Sequence, residues 1–192
     1  MNTPNKLTVA RMIATPIFMF FMLADFIPFR FTVALLLFAA ASITDYIDGN
    51  MARKLNIVTD FGKFLDPLAD KMLTTAAFIG FLAVGMGSGM AAVLFIVLFR
   101  EFLVSSLRLI TVRDGGKVVA ANIWGKLKTV TQMSAIVLGL FTLALGEFLS
   151  LSMVGTVLTV VTNILIWAST ILCVVSGLIY LFECKEYIDP RK

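Results

Sequence analysis

The chain has 192 residues, of which 59% are hydrophobic and 15% charged, with a formal net charge of +4 and no histidine. Ordinary soluble domains carry about 25% charged residues, so this composition, with a mean hydropathy of +0.97, places the chain in a bilayer. Imidazole acid-base chemistry and His-containing zinc sites are excluded, which leaves carboxylates, hydroxyls, Lys and Arg for any catalysis.

In chain order, apolar stretches at 8–27, 31–52, 68–86, 90–112, 127–146 and 153–182 each approach the ~20 residues a helix needs to cross hydrocarbon. The first follows a basic start at Lys6 and Arg11 but has no small-x-small cleavage site, and it reads as a retained span. The connections are short and polar, and no polar stretch is long enough for a separate soluble domain. The expectation is a single all-α membrane domain over 1–192 with six transmembrane helices. Lys and Arg gather in the first tail, the second and fourth connections and the last tail, and the opposite side shows only Arg30. The positive-inside rule then puts both termini in the cytoplasm, in a multi-pass protein of the cell membrane. The positive charge reads as attraction to an anionic leaflet, not to nucleic acid. Cys173 and Cys184 are eleven residues apart, about 16 Å along a helix, too far for a disulfide.

The second and third spans hold the chemistry. From Asp45 the chain reads Asp45-Tyr-Ile-Asp48-Gly49-Asn-Met-Ala52-Arg53, and after eight residues Gly62-Lys-Phe-Leu-Asp66-Pro-Leu-Ala-Asp70. On a helix Asp45, Asp48, Gly49, Ala52 and Arg53 share one face, as do Asp66 and Asp70. The short link makes the two helices antiparallel neighbours, so the four carboxylates converge. With the second span starting near Phe31, Asp45 lies about 21 Å into a core ~30 Å thick, just inside one boundary. Each ionised Asp there costs roughly 2.5–3.5 kcal/mol, and a bound cation offsets both that cost and their mutual repulsion. All-oxygen ligands select a hard ion, Mg2+ or Mn2+, and four carboxylates can hold two. The bland alternative makes these acids caps and loop charges, with Asp66 before Pro67 as an N-cap. Small residues at Gly49 and Ala52 let a nucleotide approach the backbone, and Arg53 offers a planar fork to phosphate.

The segment resembles the signature of the CDP-alcohol phosphotransferase family, D-x-x-D-G-x-x-A-R, eight residues, G-x-x-x-D-x-x-x-D, and matches it at every position: Asp45, Asp48, Gly49, Ala52, Arg53, Gly62, Asp66 and Asp70. The resemblance implies two divalent cations held by the four aspartates around the pyrophosphate of a CDP-lipid. It also implies Asp70 as general base, and contacts to the CDP moiety from Gly49, Ala52 and Arg53, with Gly62 completing the lipid-nucleotide site. The implied reaction is in-line attack of an acceptor hydroxyl on the lipid-side phosphorus, with CMP leaving on the cytoplasmic side.

For the acceptor, Arg100, Arg108, Lys126 and Lys128 form a candidate phosphate site, although such cations also serve as positive-inside determinants. Arg100 lies about 14 Å into its span and requires an acid, beside Glu101 or in the aspartate cluster. Looser motifs, including Pro4-Asn5-Lys-Leu7-Thr8, Arg100-Glu101-Phe102 and Gly125-Lys126-Leu-Lys128-Thr129, resemble the branch of the family that acts on CDP-diacylglycerol and glycerol 3-phosphate and forms phosphatidylglycerol phosphate. By that resemblance Asn5 and Thr8 border the nucleotide, while Thr8 also suits a helix cap. Other acceptors (inositol phosphate, serine, phosphatidylglycerol) are alternatives within the family, and a cation transporter is a remote one from another class. Gly139 with Gly146, and small residues in the last span, suit helix packing or a homodimer.

Overall fold

The computed structural model describes residues 3–55, 60–113, 123–149 and 153–185, with side chains for these except 3–5, 45–55, 60–64, 66, 67, 70, 109, 110, 112 and 113. Among them the chain is all-helical: α1 (Thr3–Leu23), α2 (Arg30–Leu55), α3 (Asp60–Ala83), α4 (Met90–Arg113), α5 (Ile123–Phe148) and α6 (Met153–Glu183). Each expected span corresponds to one helix. Two boundaries differ. α1 ends at Leu23, where Ala24 and the turn closed by Ile27 N–H to Ala24 C=O lead toward Pro28. α3 starts at Asp60, well before the apolar stretch, so Asp66 lies inside the helix and does not cap it. Thr8 likewise lies inside α1 and does not cap its start.

Four helices contain stretches long and apolar enough to cross a membrane, Lys6–Leu23, Met90–Arg108, Ile123–Phe148 and Met153–Glu183; the apolar parts of α2 and α3 are the shorter Arg30–Thr44 and Lys71–Ala83. The packing is that of a bundle whose outside is also apolar. Phe18, Met22, Phe38, Phe78, Phe81, Ile136 and Ile166 are fully buried, while Phe95, Phe99, Phe102, Ile164 and Phe182 point outward, which suits lipid rather than water. α5 and α6 form the most extensive pair; α1 packs on both α2 and α3, and α4 leans on α6, whereas α3 meets α4 only along a thin seam.

The Phe81 side chain of α3 reaches α5 at one glycine. A Cβ at Gly139 would lie 2.5 Å from Phe81 Cζ and 3.1 Å from Thr162 Cγ2, so the glycine serves packing within the chain. Gly146 has nothing within 4 Å of that position.

The end of the bundle holding residues 24–29, 84–89 and 149 is closely tied. Glu147 at the end of α5 caps α2: Phe31 N–H donates to Oε1 at 2.8 Å, and Thr32 donates to Oε2 from its N–H at 3.0 Å and from its hydroxyl at 2.7 Å. Phe29, with φ of 56°, stacks on Phe148 at 4.9 Å, and Arg30 pairs with Asp25 while lying 4.4 Å over Phe31. In the α3–α4 turn, Ser88 N–H donates to Asn163 Oδ1 and its carbonyl accepts from Trp167 Nε1.

Candidate active site

The signature occupies the last part of α2 and the first part of α3, the two helices joined through residues 56–59. α2 is helical from Arg30 to Leu55, so Asp45, Asp48, Gly49, Ala52 and Arg53 do stand in a one-face register. Asp66 and Asp70 are one turn apart on α3. The side chains of these residues, and those of Asn5 and Gly62, lie outside the described residues. Aspartates are the acidic residues of this signature, and their all-oxygen donors would fit a hard divalent cation.

Next to this segment on α3 stands Lys71, which faces α4 across the seam. There the structure resolves a cluster that hydropathy alone conceals. Glu101 is its centre: Lys128 Nζ of α5 donates to Oε1 at 2.8 Å, Arg100 Nη1 to the same oxygen at 3.1 Å, and Lys71 Nζ lies 3.6 Å from Oε2. Lys71 also donates to the hydroxyl of Ser105, which donates to the Glu101 carbonyl at 2.7 Å. Arg100 reaches α6, where Nη2 donates to Ser176 Oγ at 3.0 Å, and that hydroxyl donates to the Cys173 carbonyl. Gly177 gives the arginine stem its space, since a Cβ there would lie 3.0 Å from Arg100 Cγ. One carboxylate thus gathers cations from α3, α4 and α5, and through Arg100 the cluster extends to α6.

The expectation that Arg100 needs an acid is met by Glu101 itself, its neighbour in sequence. Lys128, expected at the acceptor phosphate, is nearly buried and bonded to Glu101; Arg108 and Lys126 are exposed. Thr8 is 1% exposed on α1. On the same helix Arg11, read from sequence only as part of a basic start, is 3% exposed and held in interactions within the chain.

Beside the cluster, a cavity of about 780 Å³ opens between α1, α3 and α4. Lys71, Arg100, Glu101, Ser105 and Arg108 line its polar part, and Met19, Ile79, Leu98 and Phe102 its apolar part. Sequence reasoning met Lys71 only as the residue after Asp70 in the signature's second half and assigned no role to it, Ser105, Ser176 or Gly177. The available signal was Glu101, an isolated acid inside an apolar span, which must find cations somewhere.

The CDP-alcohol phosphatidyltransferase family matches residues 1–178. The CDP-diacylglycerol--glycerol-3-phosphate 3-phosphatidyltransferase of Bacillus subtilis is 47% identical over 146 residues, covering 70% of this chain and 74% of the relative. That of Rickettsia bellii is 36% identical over 188 residues, 97% of each chain. A probable phosphatidylglycerophosphate synthase of Mycobacterium tuberculosis is 38% identical over 170 residues, 85% of this chain and 78% of the relative. With an unbroken signature on α2 and α3 and a match over nearly its whole length, the chain belongs to the CDP-alcohol phosphatidyltransferase family.

Proposed function

We propose that this protein transfers the phosphatidyl group of CDP-diacylglycerol to glycerol 3-phosphate, releasing CMP and forming phosphatidylglycerol phosphate. The observation that carries the acceptor is the near full-length similarity, at 36% identity over 97% of both chains, to a relative named for that reaction. A second support is the density of cations beside the signature, Lys71, Arg100, Arg108, Lys126 and Lys128, against the single described acid Glu101. A phosphorylated acceptor suits that excess, and serine does not.

Asp45, Asp48, Asp66 and Asp70 would hold two divalent cations, which supply charge neutralisation at the transferring phosphate. Gly49, Ala52, Arg53 and Gly62 form the CDP-lipid site, bordered by Asn5 and Thr8, and Arg53 binds phosphate through its planar guanidinium. Asp70 takes the proton of the acceptor hydroxyl as that oxygen attacks the lipid-side phosphorus in line, and CMP departs. Arg108, Lys126, Lys128 and Arg100 draw the acceptor's phosphate. A membrane site is required because the acyl chains remain in lipid while the acceptor and CMP exchange with water.

All six helices cross the bilayer in this reading, α2 and α3 through their shorter apolar parts, with both termini and the signature at the cytoplasmic face. The test of the reaction is CMP release by the purified chain given CDP-diacylglycerol and one acceptor at a time. Release with glycerol 3-phosphate is expected; release with serine or inositol phosphate in its place overturns the acceptor.

A further inference from the structure

The Glu101 cluster is a poor arrangement for stability alone. Among the described residues it sets three cations, Lys71, Arg100 and Lys128, around one carboxylate, with side-chain exposures of 36%, 15% and 9% around a glutamate at 16%. Partly desolvated charge without a counterion is costly. Buried cations each matched by an acid would pack with less penalty. Cations gathered in this way suit a phosphate monoester, which carries about −1.5 to −2 near neutral pH. Donors also remain. Each ammonium has three N–H groups; the structure shows one contact for Lys128, to Glu101, and for Lys71 contacts to Ser105 and Glu101. Lys71 lines the cavity between α1, α3 and α4 from α3, and Arg108 lines it from α4.

Resting on the reaction proposed above, we infer that Lys71 is a further contact for the acceptor's phosphate, and that Glu101 is a positioning residue. Glu101 lines the same cavity, but as an anion it acts on the phosphate through the cations it holds, Lys71 from α3 and Lys128 from α5. Ser105 fixes Lys71 from the second side, and Ser176 with the Gly177 recess fixes Arg100.

The positioning role and a mere charge role differ in sign. By Coulomb's law alone, removing Glu101's charge makes the cluster more positive and strengthens binding of an anion. If Glu101 positions the lysines, removing it weakens binding. The full chain in lipid nanodiscs is assayed by CMP release, varying glycerol 3-phosphate at saturating CDP-diacylglycerol and then the reverse. A wild-type chain that releases no CMP with glycerol 3-phosphate refutes the underlying reaction, and this inference falls with it before any variant is made. With an active wild type, Glu101→Gln is expected to raise KM for glycerol 3-phosphate about tenfold or more, leaving KM for CDP-diacylglycerol unchanged, and Glu101→Asp to recover part of the loss. Lys71→Met is expected to raise the same KM, and Glu101→Gln to cost less in its background, since the two changes act partly through one ammonium. A KM for glycerol 3-phosphate that is unchanged or lower in Glu101→Gln, with the loss confined to kcat and thermal stability, overturns the positioning role. Should Glu101→Gln fail to fold, Lys71→Met, at a partly exposed position, decides: a raised KM supports the site, and a wild-type KM overturns it.

Discussion

Gly139 offers a sharp test of how α3 and α5 are brought together. Replacing a helix-interior glycine by alanine ordinarily stabilises by about 1 kcal/mol through backbone entropy. Here the new methyl would lie 2.5 Å from Phe81 Cζ, 3.0 Å from Phe81 Cε2 and 3.1 Å from Thr162 Cγ2. Phe81 is fully buried in the central cluster, so its ring cannot swing away without displacing neighbours, and overpacking of this kind costs about 1–3 kcal/mol. The net expectation is a loss of about 1 kcal/mol for Gly139→Ala, or roughly 2–4 °C for a chain of this size, and a larger loss for Gly139→Val. Two other glycines provide controls. At Gly80 the obstructing atom is Met22 Cε at 2.8 Å, the end of a flexible side chain, so alanine there is expected to cost less. At Gly146 nothing lies within 4 Å, and alanine is expected to be neutral or stabilising. Thermal unfolding of the purified chain in detergent, followed by residual CMP release, ranks the variants. A Gly139→Ala protein at least as stable as wild type would refute the packing of the Phe81 ring on Gly139.

Chelation is expected to abolish CMP release, with Mg2+ or Mn2+ restoring it, and Asp45→Asn, Asp48→Asn, Asp66→Asn and Asp70→Asn are each expected to lose at least about a hundredfold in rate, roughly 2.7 kcal/mol; a full rate in chelator contradicts the metal reading. For orientation, Ser88→Cys in intact cells is expected to react with an impermeant thiol reagent and Lys185→Cys not to, both positions being exposed; the opposite pattern reverses the topology. Native Cys173 and Cys184 are buried, and burial together with the Glu183 carboxylate pushes the Cys184 thiol up, so neither is expected to contribute labelling on either side.

The helices were legible because each is carried by a long apolar stretch, and the misplaced ends show what that signal measures. Hydropathy marks where lipid can sit, not where hydrogen bonding begins. Hence α3 starts at Asp60, in a polar segment that an apolar window passes over, and α1 stops before Pro28 although apolar residues continue through Ile27. The signature was legible because its register lies within two consecutive helices, where the 3.6-residue repeat converts spacing into a shared face. The Glu101 cluster was legible only as a demand: Arg100 inside a span must have a counterion. Its other members, Lys71, Lys128 and Ser176, lie on separate helices, and no local periodicity relates positions whose proximity depends on helix packing. Gly177 illustrates the same limit, since a small residue in a span suggests packing without saying that its neighbour is the stem of Arg100.

The two ends of the bundle follow different physical rules, and the contrast bears on how the site is kept in place. At the end closed by Glu147, charges and polar groups are matched locally: the carboxylate accepts three hydrogen bonds at the start of α2, Asp25 pairs with Arg30, and Ser88 is held from α6 by Asn163 and Trp167. A carboxylate at a helix N-terminus also meets the positive end of the helix dipole. Around Glu101, in contrast, cations outnumber the described acid, a local imbalance of the kind proteins retain at functional sites and offset elsewhere. α2 links the two regimes. It begins in the Glu147 cap, packs along α1 and α5, and carries the signature in its last turns. A helix of 26 residues is about 39 Å long, so small errors in its tilt become ångströms at the far end. Fixing its start against α5, the helix that also bears Lys128, sets the signature and the cation cluster in a common frame.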